Sequence, residues 1–332
     1  AGAWPAAAPR EVPPPSAMAA IVTAALGKSY GGPANPLHRG PAVRALHDLS
    51  ITVEEGEIFG FLGPNGSGKS TTIRLLLGYL HPSEGSATVL GHDIVDDSEG
   101  IRRRSGYLPG GIAFYDSMTG AEQLAYLSSL DGRPATLRDE LIERMELSAR
   151  DLGRQIRDYS RGMRQKVGII QAFQADPELA VLDEPTEGLD PLMQRAFYEI
   201  LEDRQRAGRT IFMSSHVLSE VERVCDRVAI VRKGELVALT DIGELLDRRR
   251  RAVEIRLAGD IPALDGVPGV TDVRVRDGVL TCQLDGDPGP LIAALQGVPV
   301  RDLLIEPARL EEAFMDYYAG DEVSPDGDGA AA

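Results

Sequence analysis

The chain has 332 residues, 43% of them hydrophobic, and a formal net charge of −16, which is enough for two packed domains at the usual domain size. So acidic a balance argues against nucleic acid as a main partner, because phosphate backbones select clustered Lys and Arg. Two cysteines without metal-ligand spacing, Cys225 and Cys282, predict a reducing, cytoplasmic setting and no structural disulfide.

Residues 1–18 carry Pro5, Pro9 and Pro13-Pro14-Pro15, with no cationic start leading into an apolar block. They are expected to form a disordered tail rather than a secretory signal, with Met18 as the candidate initiator. Trp4, the single tryptophan, lies in this tail. No run reaches the apolar length of a transmembrane helix. From Ile21 to about Leu239 the pattern is α/β. Ile51-Thr52-Val53 and Glu57 to Leu62 read as strands, and Thr72 to Leu77 opens a helix.

Between strand and helix stands Gly63-Pro64-Asn65-Gly66-Ser67-Gly68-Lys69-Ser70-Thr71. Glycines at this junction let backbone N–H groups turn inward around phosphates, and the helix N-terminus adds partial positive charge. Lys69 is placed to reach the β- and γ-phosphates and Ser70 to hold Mg²⁺. The chain is expected to bind a nucleoside triphosphate.

Ser86 to Leu90 is a further strand candidate, and Met118 to Pro177 is helical in pattern. There Thr119 with Glu122 forms a capping box, and Leu137, Leu141 and Met145 repeat at helical spacing. The apolar run Leu179-Ala180-Val181-Leu182 has the length and composition of a covered parallel strand. It ends in Asp183-Glu184. That position puts Asp183 beside the phosphates, able to act on Mg²⁺, and leaves Glu184 fit to orient or deprotonate an attacking water.

Further on, Asp190 caps a helix with Pro191 at its first position and Gly208 beyond its end. Ile211-Phe212-Met213 is another strand. Val228 to Val231 and Leu236 to Leu239 flank the Lys233-Gly234 turn of a hairpin. Strands alternating with helices imply a doubly wound parallel sheet. Beyond a seam at Arg248–Arg251, strands at 252–257, 273–275 and 279–284, with Asp277-Gly278 as a hairpin turn, are completed by the segments 290–295, 300–305 and 310–318 into a small α+β unit. Residues 320–332 are acidic, Gly-rich and expected to be disordered.

On these residues the stretch Ile21 to Leu239 resembles the nucleotide-binding subunit of an ATP-binding-cassette (ABC) transporter. Tyr159-Ser160-Arg161-Gly162-Met163 stands where that family has its signature, Gly188-Leu189-Asp190 resembles its dimer-interface loop, and Ser215-His216 its switch histidine. Tyr30 resembles the aromatic residue that stacks on adenine. The resemblance implies a P-loop NTPase cassette at 19–246, with a parallel sheet core, an antiparallel N-terminal β part and a helical subdomain at about 112–177. A small α+β accessory domain at 247–319 would follow.

It also implies an ATPase using ATP and Mg²⁺, with Lys69, Ser70 and Asp183 holding nucleotide and metal, Glu184 as base and His216 on the γ-phosphate. Two cassettes would meet head to tail, so that Ser160, Arg161, Gly162 and Met163 complete the partner's site. The helical segment would push on a separate membrane permease at the cytoplasmic face of the membrane. The altered signature and the run Pro307 to Phe314 resemble the drug- and antibiotic-exporter branch.

One position departs from the family. Gly110 in Tyr107-Leu108-Pro109-Gly110 stands where a glutamine is usual, so no metal- or water-contacting role is carried to it, and a flexible hinge is expected instead. The runs Arg102–Arg104 and Arg248–Arg251 are read as solvated faces rather than lipid contacts, and Cys225 as a buried small hydrophobe. Alternative readings are a soluble non-transport cassette ATPase acting on ribosomes or DNA, an importer subunit, and a module that binds nucleotide without turnover.

Overall fold

The computed structural model describes residues 19–31, 43–243, 251–258, 264, 266–276 and 278–306. The expectations for the tail at 1–18, for Arg248–Arg250, for Asp277, for Pro307–Phe314, for the segment 310–318 and for the acidic end at 320–332 fall outside these residues. Contacts divide the chain into two units, with the boundary between Leu239 and Thr240. The limit read at 246 lies in a stretch outside the described residues.

The first unit holds two sheets. Strands β1 (Ala19–Tyr30), β2 (Val43–Leu49), β3 (Thr52–Glu54), β5 (Glu84–Val89) and β6 (His92–Asp93) form an antiparallel sheet of order β2-β1-β5-β6, with β3 on β1. Strands β4 (Ile58–Leu62), β7 (Ser105–Leu108), β8 (Leu179–Asp183), β9 (Thr210–Ser215), β10 (Arg227–Arg232) and β11 (Glu235–Asp241) form the second, of order β11-β10-β4-β9-β8-β7. From β10 to β7 every pairing is parallel. Every residue of β4, β8 and β9 is buried, as a parallel sheet covered on both faces requires.

Helix α1 (Lys69–Leu76) packs on β8 and on β2 and β5, while α7 (Pro191–Arg206) and α8 (Leu218–Val224) pack on β9 and β4. One apolar cluster therefore spans both sheets, from Ile21 and Leu46 through Ile73 and Leu76 to Phe59 and Phe212. The Phe212 ring lies 5.8 Å from Phe59 and 5.4 Å from Phe61. Helix α2 (Ser98–Arg104) ends in the first arginine run. There Arg102 donates to Leu77 O, Arg103 pairs with Glu99 and Arg104 makes a bidentate contact with Glu178. That run is tied to its own subunit.

Helices α3 (Gly120–Asp131), α4 (Arg138–Arg144), α5 (Ala149–Leu152) and α6 (Arg161–Phe173) occupy the segment read as helical, with a single 3-10 turn at Ile156–Asp158. The Thr119–Glu122 capping box is formed in both directions. The β10–β11 turn is Lys233-Gly234, both in the left-handed region with φ of 50° and 82°, the conformation a two-residue hairpin turn needs.

The second unit is a four-stranded antiparallel sheet, β12 (Arg251–Leu257), β13 (Val270–Arg276), β14 (Val279–Leu284) and β15 (Val300–Glu306), ordered β13-β14-β12-β15. Helix α9 (Gly289–Ala294) belongs to the same unit. Its core gathers Val253, Ile255, Leu280, Cys282 and Leu284 with Leu291 and Leu295. Among the described residues no helix is long and apolar enough to cross a membrane.

Candidate functional site

The loop 63–68 leaves the C-terminal edge of β4, where open α/β sheets bind their ligands. It is fixed by its backbone: Gly63 N–H donates to Ser215 O at 3.2 Å, Ser67 N–H to Pro64 O at 3.1 Å, and Gly234 N–H to Ser67 O at 3.0 Å. Gly68 is the N-cap of α1 with φ of 104°, and a Cβ there would stand 2.6 Å from Ala45 O. Both the backbone sign and the close approach demand glycine. Lys69 is buried and folds back over the loop, donating to Gly63 O at 2.6 Å and Pro64 O at 3.3 Å.

A cavity of about 520 Å³ opens over this loop, within the size range of small-molecule sites. It is lined by Asn65, Gly66 and Gly68 to Thr71 of the loop and helix start, by Tyr107, Pro109, Gly110 and Gly111, by Asp183-Glu184, and by Ala45 and Arg74. Ser67 Oγ is buried without a hydrogen-bond partner. Burial, with the nearby Asp183 charge, pushes the Tyr107 hydroxyl up to about 12, so it remains a neutral donor.

The sheet brings the acidic pair to this cavity. Asp183, 5% exposed, accepts from Ser70 Oγ at 2.8 Å and from Ser214 Oγ at 2.6 Å. Glu184 turns out of the strand with φ of 52°, an uncommon conformation for a residue with a side chain. Its N–H is held by Ser214 O and Oγ, both at 3.2 Å. Its Oε1 lies 3.1 Å from Lys69 Nζ, an ion pair by distance, yet it lacks an aligned hydrogen bond. We read the contact as Coulombic. Its Oε2 lies 2.7 Å from His216 Nδ1. A carboxylate can only accept, so Nδ1 carries the proton.

Tyr30 ends β1, partly exposed, with its hydroxyl 3.4 Å from Thr71 Oγ1 and Lys28 Nζ 5.5 Å from its ring centroid. The second group of residues gathers elsewhere. Ser160 is the N-cap of α6 and its Oγ accepts from Met163 N–H at 3.2 Å. Arg161 pairs with Glu187. Gly162 abuts the next loop so closely that a Cβ would stand 2.7 Å from Gly188 O. Leu189 N–H donates to Thr186 O at 3.0 Å, and Asp190 caps α7 by accepting from Leu192 and Met193 N–H at 3.0 Å each. None of Ser160 to Met163 lines the cavity over Lys69.

Several residues escaped the sequence reading. Ser214 contacts both members of the acidic pair, Gln165 Nε2 donates to Pro185 O at 2.6 Å, and Glu220 holds Thr186 and Ser215. The one sequence signal for Ser214 was its place next to Ser215-His216.

Comparison with known proteins agrees with this geometry. The ABC transporter family model matches residues 46–187. An ABC transporter ATP-binding protein of Nostoc sp. is 46% identical over 209 residues, covering 61% of this chain and 62% of that protein, so the match spans less than two thirds of that relative. A daunorubicin resistance ATP-binding protein of Streptomyces coeruleorubidus is 33% identical over 295 residues, covering 84% of this chain and 92% of its own. The solved structure of an ATP-binding subunit of an ABC transporter is 30% identical, with a TM-score of 0.59 over 68% of this chain and 91% of that one. Phosphate loop, the acidic pair beside it and these likenesses together make the chain a member of the ABC transporter family, an ATP-binding subunit with ATPase activity.

Proposed function

We propose that this subunit dimerises head to tail on ATP and drives a separate membrane permease that exports a drug, antibiotic or other amphipathic compound. The observation that carries the reading is the split site. The phosphate loop and the acidic pair line one cavity, while Ser160 to Met163 form a separate helix N-terminus that does not line it. A second copy, or a close relative, would bring its own Ser160 and Gly162 to the phosphates, with Gly188-Leu189-Asp190 at the interface and Arg161 and Met163 beside it. N–H donors at a helix start suit that task. A drug as the transported compound is supported by the daunorubicin resistance relative, which aligns with 84% of this chain.

Tyr30 would stack on adenine and Lys69 would reach the β- and γ-phosphates. The donor set fits Mg²⁺: Ser70 Oγ and Asp183 Oδ2, both hard oxygen ligands, are already 2.8 Å apart at the cavity wall. Bound there, the ion would neutralise charge on the phosphates. Glu184 would take the proton as water oxygen bonds the γ-phosphorus and the bond to the β-phosphate oxygen breaks. His216 would hold the γ-phosphate end. The subunit would sit at the cytoplasmic face of the membrane through its permease.

The test is a pull-down from detergent-solubilised membranes of the source organism, using the Glu184→Gln form with Mg-ATP as bait. Recovery of a polytopic membrane protein is expected. Ribosomes in the eluate, or an ATP-bound dimer with no membrane protein, would overturn the transport reading.

A further inference from the structure

Helix α8 begins immediately after the His216 loop, and its third residue is Glu220. Leu218, Val221 and Val224 bury the apolar face of the helix, and Glu220 is buried with them at 8% exposure. A carboxylate in such a place is costly unless both oxygens are hydrogen-bonded. Both are. Ser215 Oγ–H donates to Oε2 at 2.6 Å, and Thr186 Oγ1–H donates to Oε1 in a short contact.

The two hydroxyls come from the two loops that carry the reactive groups. Ser215 precedes His216, and its Oγ also accepts from Val217 N–H at 2.9 Å. Glu220 thus grips His216 from both sides through one hydroxyl. Thr186 lies two residues after Glu184 and two before Gly188, and its carbonyl accepts from Leu189 N–H. The same segment is held from α6, where Gln165 Nε2 donates to Pro185 O.

We propose that Glu220 is a positioning residue for ATP hydrolysis: it clamps the His216 loop to the Thr186 segment so that His216 and Glu184 stay in register. The inference rests on the roles given above to Glu184 and His216. It needs no contact between Glu220 and nucleotide, and Glu220 does not line the cavity. Loss of the clamp should therefore lower turnover without weakening ATP binding. Misplacement of a reactive group by about 1 Å can cost on the order of 100-fold.

The experiment measures kcat, KM and ATP affinity in the full chain for Glu220→Ala, Glu220→Gln, Thr186→Val and the double variant Glu220→Ala/Thr186→Val. We expect Glu220→Ala to lower kcat about tenfold or more with KM within about twofold. Glu220→Gln should restore most of the loss, because the amide accepts from one hydroxyl and donates to the other. The double variant should be no worse than the poorer single one, the mark of two residues acting as a unit. Multiplying losses, a parallel fall in ATP affinity, or a Gln variant as poor as Ala would overturn the proposal. Should Glu220→Ala fail to fold, Thr186→Val and Ser215→Ala carry the test, and unaltered kcat in both overturns it. Full hydrolysis by Glu184→Gln would remove the base assignment alone, and the Glu220 cycle would still report on the His216 loop.

Discussion

Replacing Glu184 by glutamine should slow hydrolysis and tighten ATP binding at once. In the free subunit Glu184 Oε1 stands 3.1 Å from Lys69 Nζ, and both side chains are largely buried. At an effective dielectric of about 20 the gross attraction at this distance is about 5 kcal/mol. Desolvation of both groups, and the carbonyls of Gly63 and Pro64 that keep Lys69 satisfied, reduce the net to about 1–2 kcal/mol. Phosphate must displace this pair to reach Lys69. Removing the pair therefore strengthens ATP binding about 5- to 30-fold. Turnover falls about 10²- to 10⁴-fold with loss of the base. Displacement of a fluorescent nucleotide reads the first effect, and phosphate release at saturating Mg-ATP reads the second. Weaker ATP binding by the Gln variant would refute the competition argument, and undiminished phosphate release would refute the base.

Gly162→Ala places a Cβ 2.7 Å from Gly188 O, pushing the helix start and the neighbouring loop apart. ATP affinity of the single subunit should hold, while ATP-driven dimerisation, read by size-exclusion chromatography, weakens about tenfold for each 1.4 kcal/mol lost. In Gly110→Gln the new Cβ meets Asp183 Oδ2 at 3.2 Å, so the Mg²⁺ concentration for half-maximal hydrolysis should rise; an unaltered Mg²⁺ titration would show that the crowding is absorbed without moving Asp183. Phe212→Ala removes the ring between Phe59 and Phe61 and should lower unfolding stability by about 3–5 kcal/mol in a denaturant titration. Burial pushes the thiols of Cys225 and Cys282 up and shields both from solvent, which disfavours the reactive thiolate. A thiol reagent should modify neither cysteine in the native protein and both in denaturant.

What the sequence made legible was local. Strand, glycine loop and helix at 58–76 follow one another directly. So do the capping box at Thr119, the Asp190-Pro191 helix start and the Lys233-Gly234 turn, each written in adjacent residues. Strand β2 escaped because Arg44, His47 and Asp48 interrupt its apolar pattern, and Asp48 has φ of 43°. Strand β7 is only four residues long and contains Gly106. The contacts that order the site were hidden for another reason. Ser214 reaches Asp183 across 31 residues and Glu220 reaches Thr186 across 34, and no local periodicity encodes a pairing that the parallel sheet creates. A serine or glutamate in an apolar stretch shows only that a partner is needed.

The run from Asp183 to Asp190 is where these contacts converge, and its geometry makes it stiff. Two left-handed residues bound the middle of it, Glu184 with φ of 52° and Gly188 with φ of 84°. Between them Pro185 has a ring-fixed φ, its carbonyl is held by Gln165, and the Thr186 hydroxyl is held by Glu220. Few backbone torsions are left free. A displacement of the loop at Gly188–Asp190 then has two outlets: Glu184 turns at the cavity wall, or α6 and α8 move with the segment through Gln165 and Glu220. Packed interiors resist gradual deformation, so both outlets favour discrete positions over continuous drift. Through this short segment the acidic group at the cavity wall and the loop proposed for the subunit interface share one mechanical element.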